Sequence, residues 1–390
     1  MRERLLFHCH HGLGMGHLVR ALSLAEALAS RFEVVLAAGG PLPDVIAIPR
    51  GVDVRPLPPL LMNEDGALVA PDPTAPVAAL IAERRRLLLS LFEETRPAVL
   101  MTDLFPFGRK KLRDELVPLL ERAHAAAAPP VVISSVRDLL VTARPDQQKH
   151  DDTAADLAQR WFDAVLVHSD PGFARLEDSF RPQHPFTVPV LYTGFVARAE
   201  PPTLHPARRG VVVSSGGGRV GATLLACAVE SHAAIWRRTG HEMIVVGGPF
   251  VPADEWRAIE AAARMTLNLQ AVHVVPDLRP LLAAAAVSVS QCGYNTTMDL
   301  LQTSVRPLLV PFRTAREDEQ SERARRLAAS GAARVLSADD LTPARLAAEV
   351  ERTLGWEPAA VRLDCSGASR TVEIVGELVA AHGRRIGAAS

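Results

Sequence analysis

Residues that could bind a phosphorylated sugar cluster in one segment of the second half of the chain. The run Ser290-Gln-Cys-Gly-Tyr-Asn-Thr-Thr-Met-Asp299 follows a short apolar stretch and has the pattern of a turn that opens a helix. Free backbone N–H groups and the positive end of a helix dipole favour a phosphate there. Asp299, and the pair Glu319 and Gln320 after the next apolar stretch, could hydrogen-bond a ribose and a sugar. The segment predicts a site for a nucleotide-linked sugar.

A glycine loop near the N-terminus carries a candidate catalytic histidine. The loop His10-His-Gly-Leu-Gly-Met-Gly16 leads directly into a predicted helix that begins at His17. Glycines allow a close backbone approach to a ligand or a positive φ. A histidine at a helix start has a lowered pKa, so it stays neutral as a general base requires. From the residues alone, a base and a side chain that only packs at the turn remain equal alternatives.

Two other interpretations of this region are disfavoured. A dinucleotide site would need an acidic residue about 20 residues further on, at the end of the second strand, where the chain has Ala37-Ala-Gly-Gly40. His8, Cys9 and His10 suggest a metal, but successive side chains of a strand point to opposite faces. We therefore expect neither a cofactor nor a metal ion.

A second glycine loop opens the second half of the chain in the same way as the first. An apolar run ending at Ser214 leads into Ser215-Gly-Gly-Gly218 and then into a predicted helix. Small residues leave N–H groups free to hold a diphosphate. The alternative is a flexible turn without a ligand.

Short apolar runs alternate with amphipathic ones, which is typical of parallel strands connected by helices. The 390 residues favour two domains. We predict a first doubly wound α/β domain at 1–197, a Pro-rich linker at 198–209, a second such domain at 210–369, and a final helix at 370–390 that is a candidate to return to the first domain. Predicted helices of the first domain span 17–29, 77–94, 109–126 and 153–162. Ligands of such sheets bind at the carboxyl ends of strands, here in the cleft between the domains.

Charge and composition exclude several classes of function. The 43 basic and 44 acidic residues nearly balance, so we expect no nucleic-acid partner. The four cysteines form no CxxC pair, and no apolar run could span a bilayer. These two features fit a cytoplasmic protein. The run Arg84-Arg-Arg-Leu-Leu-Leu-Ser-Leu-Phe92 also suits peripheral contact with an anionic membrane, although such a helix more often covers a sheet.

Taken together, the motifs resemble the MurG-like GT-B glycosyltransferases of the family 28 type. The matching segments occur in family order in both halves: Gly14-Met-Gly-His-Leu-Val-Arg20, residues 214–218, Val274-Val-Pro-Asp-Leu278, Gln291-Cys-Gly-Tyr-Asn-Thr296, and Glu317-Asp-Glu-Gln320 with residues 323–327. The resemblance implies a GT-B fold and an inverting, metal-independent transfer of a sugar from a nucleotide sugar to a hydroxyl acceptor. A UDP-sugar is the first candidate for the donor.

The resemblance also implies roles for individual residues. His17 stands where the family has its proposed base. Asp299 stands where the family usually has a ribose-binding Glu, and Glu319 stands where it has a sugar-reading Gln. The expected donor-binding residues are Ser215, Gly216, Gly217, Gly218, Gly293, Asn295, Thr296, Asp299, Glu319 and Gln320.

The acceptor is expected on the first domain, at the ends of its strands. The candidate residues are Gly14, Gly16, Asp103, Arg109, Arg137 and Asp138. Ordinary loop turns and surface ion pairs remain an equal alternative for the last four. The Gly-x-Gly-His-x-x-Arg signature of residues 14–20 also occurs in nucleotide-sugar hydrolases, and nonhydrolysing epimerases share the architecture. A binding protein without chemistry is the non-enzyme alternative.

Overall fold

Strands and helices alternate along the computed structural model, which describes residues 2–12, 14–63, 67–198, 208–217, 220–303, 305–314 and 317–389. Most of the predicted linker, 199–207, lies outside the described residues. The elements of the first half are β1 (Arg4–Cys9), α1 (Gly16–Leu28), β2 (Glu33–Ala38), β3 (Val52–Pro56), β4 (Leu61–Met62), β5 (Leu68–Val69), α2 (Val77–Thr95), β6 (Val99–Asp103), α3 (Arg113–His124), β7 (Val131–Arg137), α4 (Gln147–Trp161), β8 (Ala164–His168) and β9 (Val190–Tyr192).

The second half repeats the alternation. Its elements are β10 (Val211–Ser214), α5 (Ala222–Thr239), β11 (Met243–Val246), α6 (Ala253–Arg264), β12 (Leu269–Val272), α7 (Arg279–Ala284), β13 (Val287–Ser290), α8 (Tyr294–Thr303), β14 (Arg306–Leu309), α9 (Glu319–Ala329), β15 (Arg334–Val335), α10 (Pro343–Leu354) and α11 (Gly367–Ala389).

The strands form two parallel sheets, so the predicted α/β class is correct. The first has the order β3-β2-β1-β6-β7-β8-β9 and the second β12-β11-β10-β13-β14-β15, while β4 and β5 form a separate antiparallel pair. Alternate residues of each strand face opposite sides of the sheet. In β1, Leu6 packs on the side of α2 and α3, while Leu5 and Phe7 pack on the side of α1 and α11.

Strand order reverses once in each sheet, and these two places position the site. In the first sheet the reversal lies between β1 and β6, and in the second between β10 and β13. Loops that leave neighbouring strands at such a switch point run in opposite directions and leave a crevice. The glycine loops after β1 and β10, and the turn after β13, all begin there.

Several elements differ from the sequence-based prediction. The structure has a short strand β9 that the apolar pattern did not reveal. Helix α3 begins at Arg113 rather than at residue 109, because Arg109 adopts a left-handed conformation (φ 59°) and a 3₁₀ turn follows. Helix α4 begins at Gln147, six residues before the predicted start at 153, since polar residues of its first turns concealed the helical period.

Helix α2 buries the first of its three consecutive arginines and exposes the other two, Arg85 and Arg86. Arg84 is fully buried, donates to Glu115 at 2.6 and 2.8 Å, and also donates to the carbonyl of Gly39. Leu88 and Phe92 belong to the core of the first sheet. One face of the amphipathic run therefore covers the sheet. Among the described residues, no helix is long and apolar enough to cross a membrane.

Candidate active site

A cleft of about 1640 Å³ lies between the two sheets at the ends of their central strands. Fourteen of the predicted site residues line it: Gly14, Gly16, His17, Arg109, Arg137, Ser215, Gly216, Gly217, Gly293, Asn295, Thr296, Asp299, Glu319 and Gln320. The two halves are in direct contact there, since the Asn295 side chain donates to the carbonyl of Gly16 at 3.0 Å. Gly218 lies outside the described residues.

His17 lies in the first turn of α1, with its ring at the edge of the cleft and 14% of the side chain exposed. Its Nδ1 is 2.7 Å from a carboxylate oxygen of Asp103, which ends the neighbouring strand β6. Asp103 also accepts a hydrogen bond from Arg20 at 2.5 Å. Because an ionised carboxylate can only accept hydrogen bonds, this contact favours the tautomer with the proton on Nδ1, which leaves Nε2 as the acceptor.

Opposing effects set the protonation states of this pair. Burial, reinforced by the positive charge of Arg109, lowers the pKa of His17 well below its usual value, although Asp103 works in the other direction. Burial acts to raise the pKa of Asp103, but the interaction with His17, which includes a hydrogen bond, and the charge of Arg20 outweigh it and lower that pKa. At neutral pH the pair is a neutral imidazole beside an ionised carboxylate, which is the state that a general base needs.

Two predicted acceptor residues do not line the cleft. Asp103 is 1% exposed, and its carboxylate is engaged by His17 and Arg20. Asp138 is also 1% exposed, and both of its oxygens accept from Arg323 at 2.7 and 2.8 Å. The structure therefore places these two carboxylates beneath the cleft, where they are bonded to protein groups instead of facing an acceptor.

The second domain presents backbone N–H groups to the cleft. Helix α8 begins at Tyr294, directly after the Gly293 turn, so the amides of its first turn have no partner within the helix. Gly216 has φ 60°, a left-handed conformation that glycine adopts without strain. The glycine loop after β10 and the start of α8 thus face the same space.

Asp299 lines the cleft one turn inside α8 and is half-buried. Within the ranges that the structure describes, no group donates a hydrogen bond to its carboxylate. Burial raises the pKa of Asp299 to about 6, although the charge of Arg198 lowers it in part. A ligand whose hydroxyl groups donate hydrogen bonds to this carboxylate would stabilise its ionised form.

Glu319 and Gln320 begin helix α9 at the cleft. Gln320 accepts, through its side-chain oxygen, from the backbone of Cys292 at 3.0 Å and of Phe312 at 3.2 Å, so its NH₂ group is the part left for a ligand. The Glu319 carboxylate forms an ion pair with Arg137 across the cleft. The sequence did not predict that pair, since it joins residues of different domains.

The histidines beside the first loop are engaged by the protein. His10 bonds the carbonyl of Gly39 at 2.9 Å, and His8 lies 3.3 Å from a carboxylate oxygen of Glu115. Cys9 faces the opposite side of the sheet, in the core beside α1. The three side chains therefore pack into the first domain.

Solved structures of known proteins share this fold. Two solved structures similar to the chain are the glycosyltransferase VinC in complex with dTDP (TM-score 0.61, 18% identity, 98% of this chain and 100% of that one) and MurG of Acinetobacter baumannii (TM-score 0.56, 14% identity, 96% and 99%). The fold is that of the GT-B glycosyltransferases.

The second half can be assigned more closely. Residues 212–359 match the glycosyltransferase family 28 C-terminal domain, so the chain carries that domain within its GT-B fold. The chain is 31% identical over 176 residues to UDP-N-acetylglucosamine--N-acetylmuramyl-(pentapeptide) pyrophosphoryl-undecaprenol N-acetylglucosamine transferase of Rhodopseudomonas palustris (strain BisB18), and 30% identical over 189 residues to the enzyme of that name in Nitrobacter hamburgensis. These matches span about half of each chain, 45% and 49% of the two relatives. The MurG-like resemblance is confirmed.

Proposed function

We propose that the protein is an inverting glycosyltransferase that moves a sugar from a nucleotide diphosphate sugar to a hydroxyl acceptor, with a UDP-sugar as the first candidate for the donor. The observation that carries the proposal is the position of His17: its ring is bonded to Asp103 and borders the cleft formed by both glycine loops and the start of α8. The relatives' names, which specify a UDP-sugar donor and a lipid-linked acceptor, support this donor class. A lipid-linked hydroxyl is one acceptor to test, and peripheral membrane contact stays a prediction.

In the proposed reaction the acceptor oxygen attacks the anomeric carbon from the side opposite the diphosphate. The new C–O bond forms as the bond to the diphosphate oxygen breaks, so the configuration inverts. His17 Nε2 takes the hydroxyl proton, and Asp103 stabilises the imidazolium that results. The electron pair leaves with the nucleoside diphosphate.

The second domain would hold the donor. Amides at the start of α8 and in the loop after β10 would stabilise the growing negative charge of the diphosphate, which is how a helix N-terminus binds anions without a metal ion. Asp299 would accept hydrogen bonds from the ribose hydroxyls. Glu319 and Gln320 would bind the sugar hydroxyls, as the motif order implies.

Nucleotide release from a panel of donors tests the activity. The purified protein is incubated with UDP-, dTDP- and GDP-sugars, with and without a bacterial extract that supplies acceptors, and free nucleoside diphosphate is measured. A transferase releases nucleotide only with extract, whereas a hydrolase releases it without extract. No release under either condition, with donor bound, would leave a binding protein or a nonhydrolysing epimerase and refute the proposal.

Variants of the base pair test the mechanism. We expect His17→Ala to lower turnover at least about a hundredfold, and Asp103→Asn at least about tenfold because the tautomer is no longer fixed. Donor affinity, measured by calorimetry, should be retained in both. The matched control is His184→Ala, since His184 is exposed and far from the cleft lining. Full turnover in His17→Ala would contradict the base role.

A further inference from the structure

Two adjacent residues at the end of β7 pair with two residues one turn apart on α9. Arg137 forms an ion pair with Glu319, and Asp138 forms a bidentate pair with Arg323 at 2.7 and 2.8 Å. In one pair the first domain supplies the cation, and in the other it supplies the anion. The order of charges after β7, cation then anion, is therefore complementary to the order along α9, anion then cation. Asp138 and Arg323 are fully buried, and Arg137 and Glu319 lie at the cleft. We call these four residues the cross-domain clamp.

The clamp also reaches the turn that precedes α8. Arg323 donates its third hydrogen bond to the carbonyl of Cys292 at 2.7 Å. The amide of the same residue donates to Gln320 at 3.0 Å. The backbone amide and the backbone carbonyl of Cys292 are therefore both bonded to side chains of α9. Helix α9 in turn is bonded to Asp138 of the first domain. The position of the donor turn thus depends on a residue of the other domain.

Arg137 has a comparable effect on Glu319. The Glu319 carboxylate is 9% exposed and lies beside a second carboxylate, Glu317, whose pKa is raised by burial and by the charge of Glu319. A largely buried carboxylate next to another is costly unless a cation compensates it. Arg137 supplies that cation at one oxygen of Glu319, so the second oxygen keeps its capacity to accept a hydrogen bond from a ligand.

We propose that Arg137 and Asp138 are positioning residues for the donor sugar: through Glu319 and Arg323, the first domain orients the groups of the second domain that read the sugar. This inference rests on the proposed function for its ligand and goes beyond it in assigning donor selectivity partly to the first domain. Arg137 and Asp138 then act on the donor and not, as their place at a strand end of the first domain predicts, on the acceptor.

The same helix provides a matched control. Arg326 of α9 also forms an ion pair with the first domain, at 2.8 Å from Asp178. Neither residue lines the cleft. Asp178→Asn therefore removes a cross-domain ion pair from α9 without touching the clamp, and separates general domain contact from positioning of the donor.

The first test compares the affinities for UDP and for UDP-sugar. In Arg137→Gln we expect UDP-sugar affinity to fall about tenfold or more, the loss typical of a charge-assisted hydrogen bond, while UDP affinity stays unchanged. Arg137→Lys should retain part of the affinity, because it keeps the charge, and Asp178→Asn should match the wild type. An equal loss for UDP and UDP-sugar, or no loss, would overturn the role of Arg137.

The second test removes the buried pair, and its scattering measurement does not depend on any ligand. The double variant Asp138→Leu with Arg323→Met avoids leaving an unpaired buried charge, which would endanger folding. We expect a larger radius of gyration by small-angle X-ray scattering than for wild type and for Asp178→Asn, together with weaker UDP-sugar binding. An unchanged radius with unchanged binding would overturn the role of Asp138.

The two tests also separate the inference from the proposed function. If the wild-type protein binds no nucleotide sugar, the proposed function fails, and the inference that depends on it fails for the sugar. The scattering comparison then still decides whether Asp138 and Arg323 set the arrangement of the domains.

Discussion

The site separates residues that face the ligand space from residues that act beneath it. His17 and Asp299 line the cleft, whereas Asp103 and Asp138 lie beneath it and bond to other side chains. The difference follows from burial, since a carboxylate that is 1% exposed must be compensated by protein groups. A half-buried carboxylate at the cleft keeps its capacity for a ligand. Burial therefore separates Asp299, which faces the ligand space, from Asp103 and Asp138, which position other side chains.

Asp299 should make donor binding depend on pH. Its pKa is raised to about 6 by burial, so the ionised fraction grows as the pH rises from 5 to 7. Ribose hydroxyls favour the ionised form, and proton release is therefore coupled to binding. We expect UDP-sugar affinity to increase about tenfold from pH 5 to pH 7, as measured by calorimetry.

The choice of ligand and variant makes this prediction specific. A UDP-sugar is used because its diphosphate lacks the terminal group of UDP, which itself titrates near pH 6. In Asp299→Asn the affinity should be lower at pH 7 and nearly constant between pH 5 and 7. A pH dependence that persists in Asp299→Asn would assign it to another group, such as Glu317, whose pKa is also raised by burial.

At the scale of elements, the two glycine loops must approach each other closely. A Cβ atom on Gly217 would lie 3.1 Å from the Cα of Gly14 and 3.2 Å from the amide nitrogen of Met15, both backbone atoms of the other domain. A side chain at position 217 would therefore push the loops after β1 and β10 apart by a few tenths of an ångström. That contact brings the donor loop next to the start of α1, where His17 lies.

We expect Gly217→Ala to separate the two loops by a few tenths of an ångström and to lower kcat/KM roughly tenfold or more, because transfer is sensitive to such misplacement. Gly383→Ala is the matched control: an added Cβ there meets nothing within 4 Å, and the residue lies on α11 away from the cleft. Steady-state kinetics on the donor identified above measures both variants. Wild-type kcat/KM in Gly217→Ala would show that the loops tolerate the displacement.

Local sequence patterns predict these elements better than they predict the side-chain pairs between elements. The glycine loops, the start of α8 and most strands follow from local patterns of glycine, helix-capping and apolar residues. Asp103 is 86 residues from His17 along the chain, and its role depends on β1 and β6 being neighbours, which no local pattern reveals. Asp138 and Arg323 are 185 residues apart. From the sequence, Asp103 and Asp138 are therefore predicted as acceptor ligands, and not as partners of His17 and Arg323.

At the scale of the whole molecule, the last helix connects the two halves. Helix α11 follows the second sheet in the chain but packs against α1 and β7 of the first. Val375 is fully buried in the cluster that contains Leu18 of α1. Together with the cross-domain clamp, this packing means that one half cannot unfold without exposing apolar surface or unpairing buried charges of the other.

The two halves should therefore unfold in a single transition. Urea unfolding is followed in two single-tryptophan variants, one retaining Trp161 in the first half and one retaining Trp256 in the second. We expect Val375→Ala to lower the free energy of unfolding by about 2 kcal/mol and to shift both signals equally. The control Val335→Ala, at an exposed valine of β15, should change it by less than about 0.5 kcal/mol. A shift confined to Trp161 would mean that the halves unfold separately, since the energy of the α11 contact would then stabilise the first half alone.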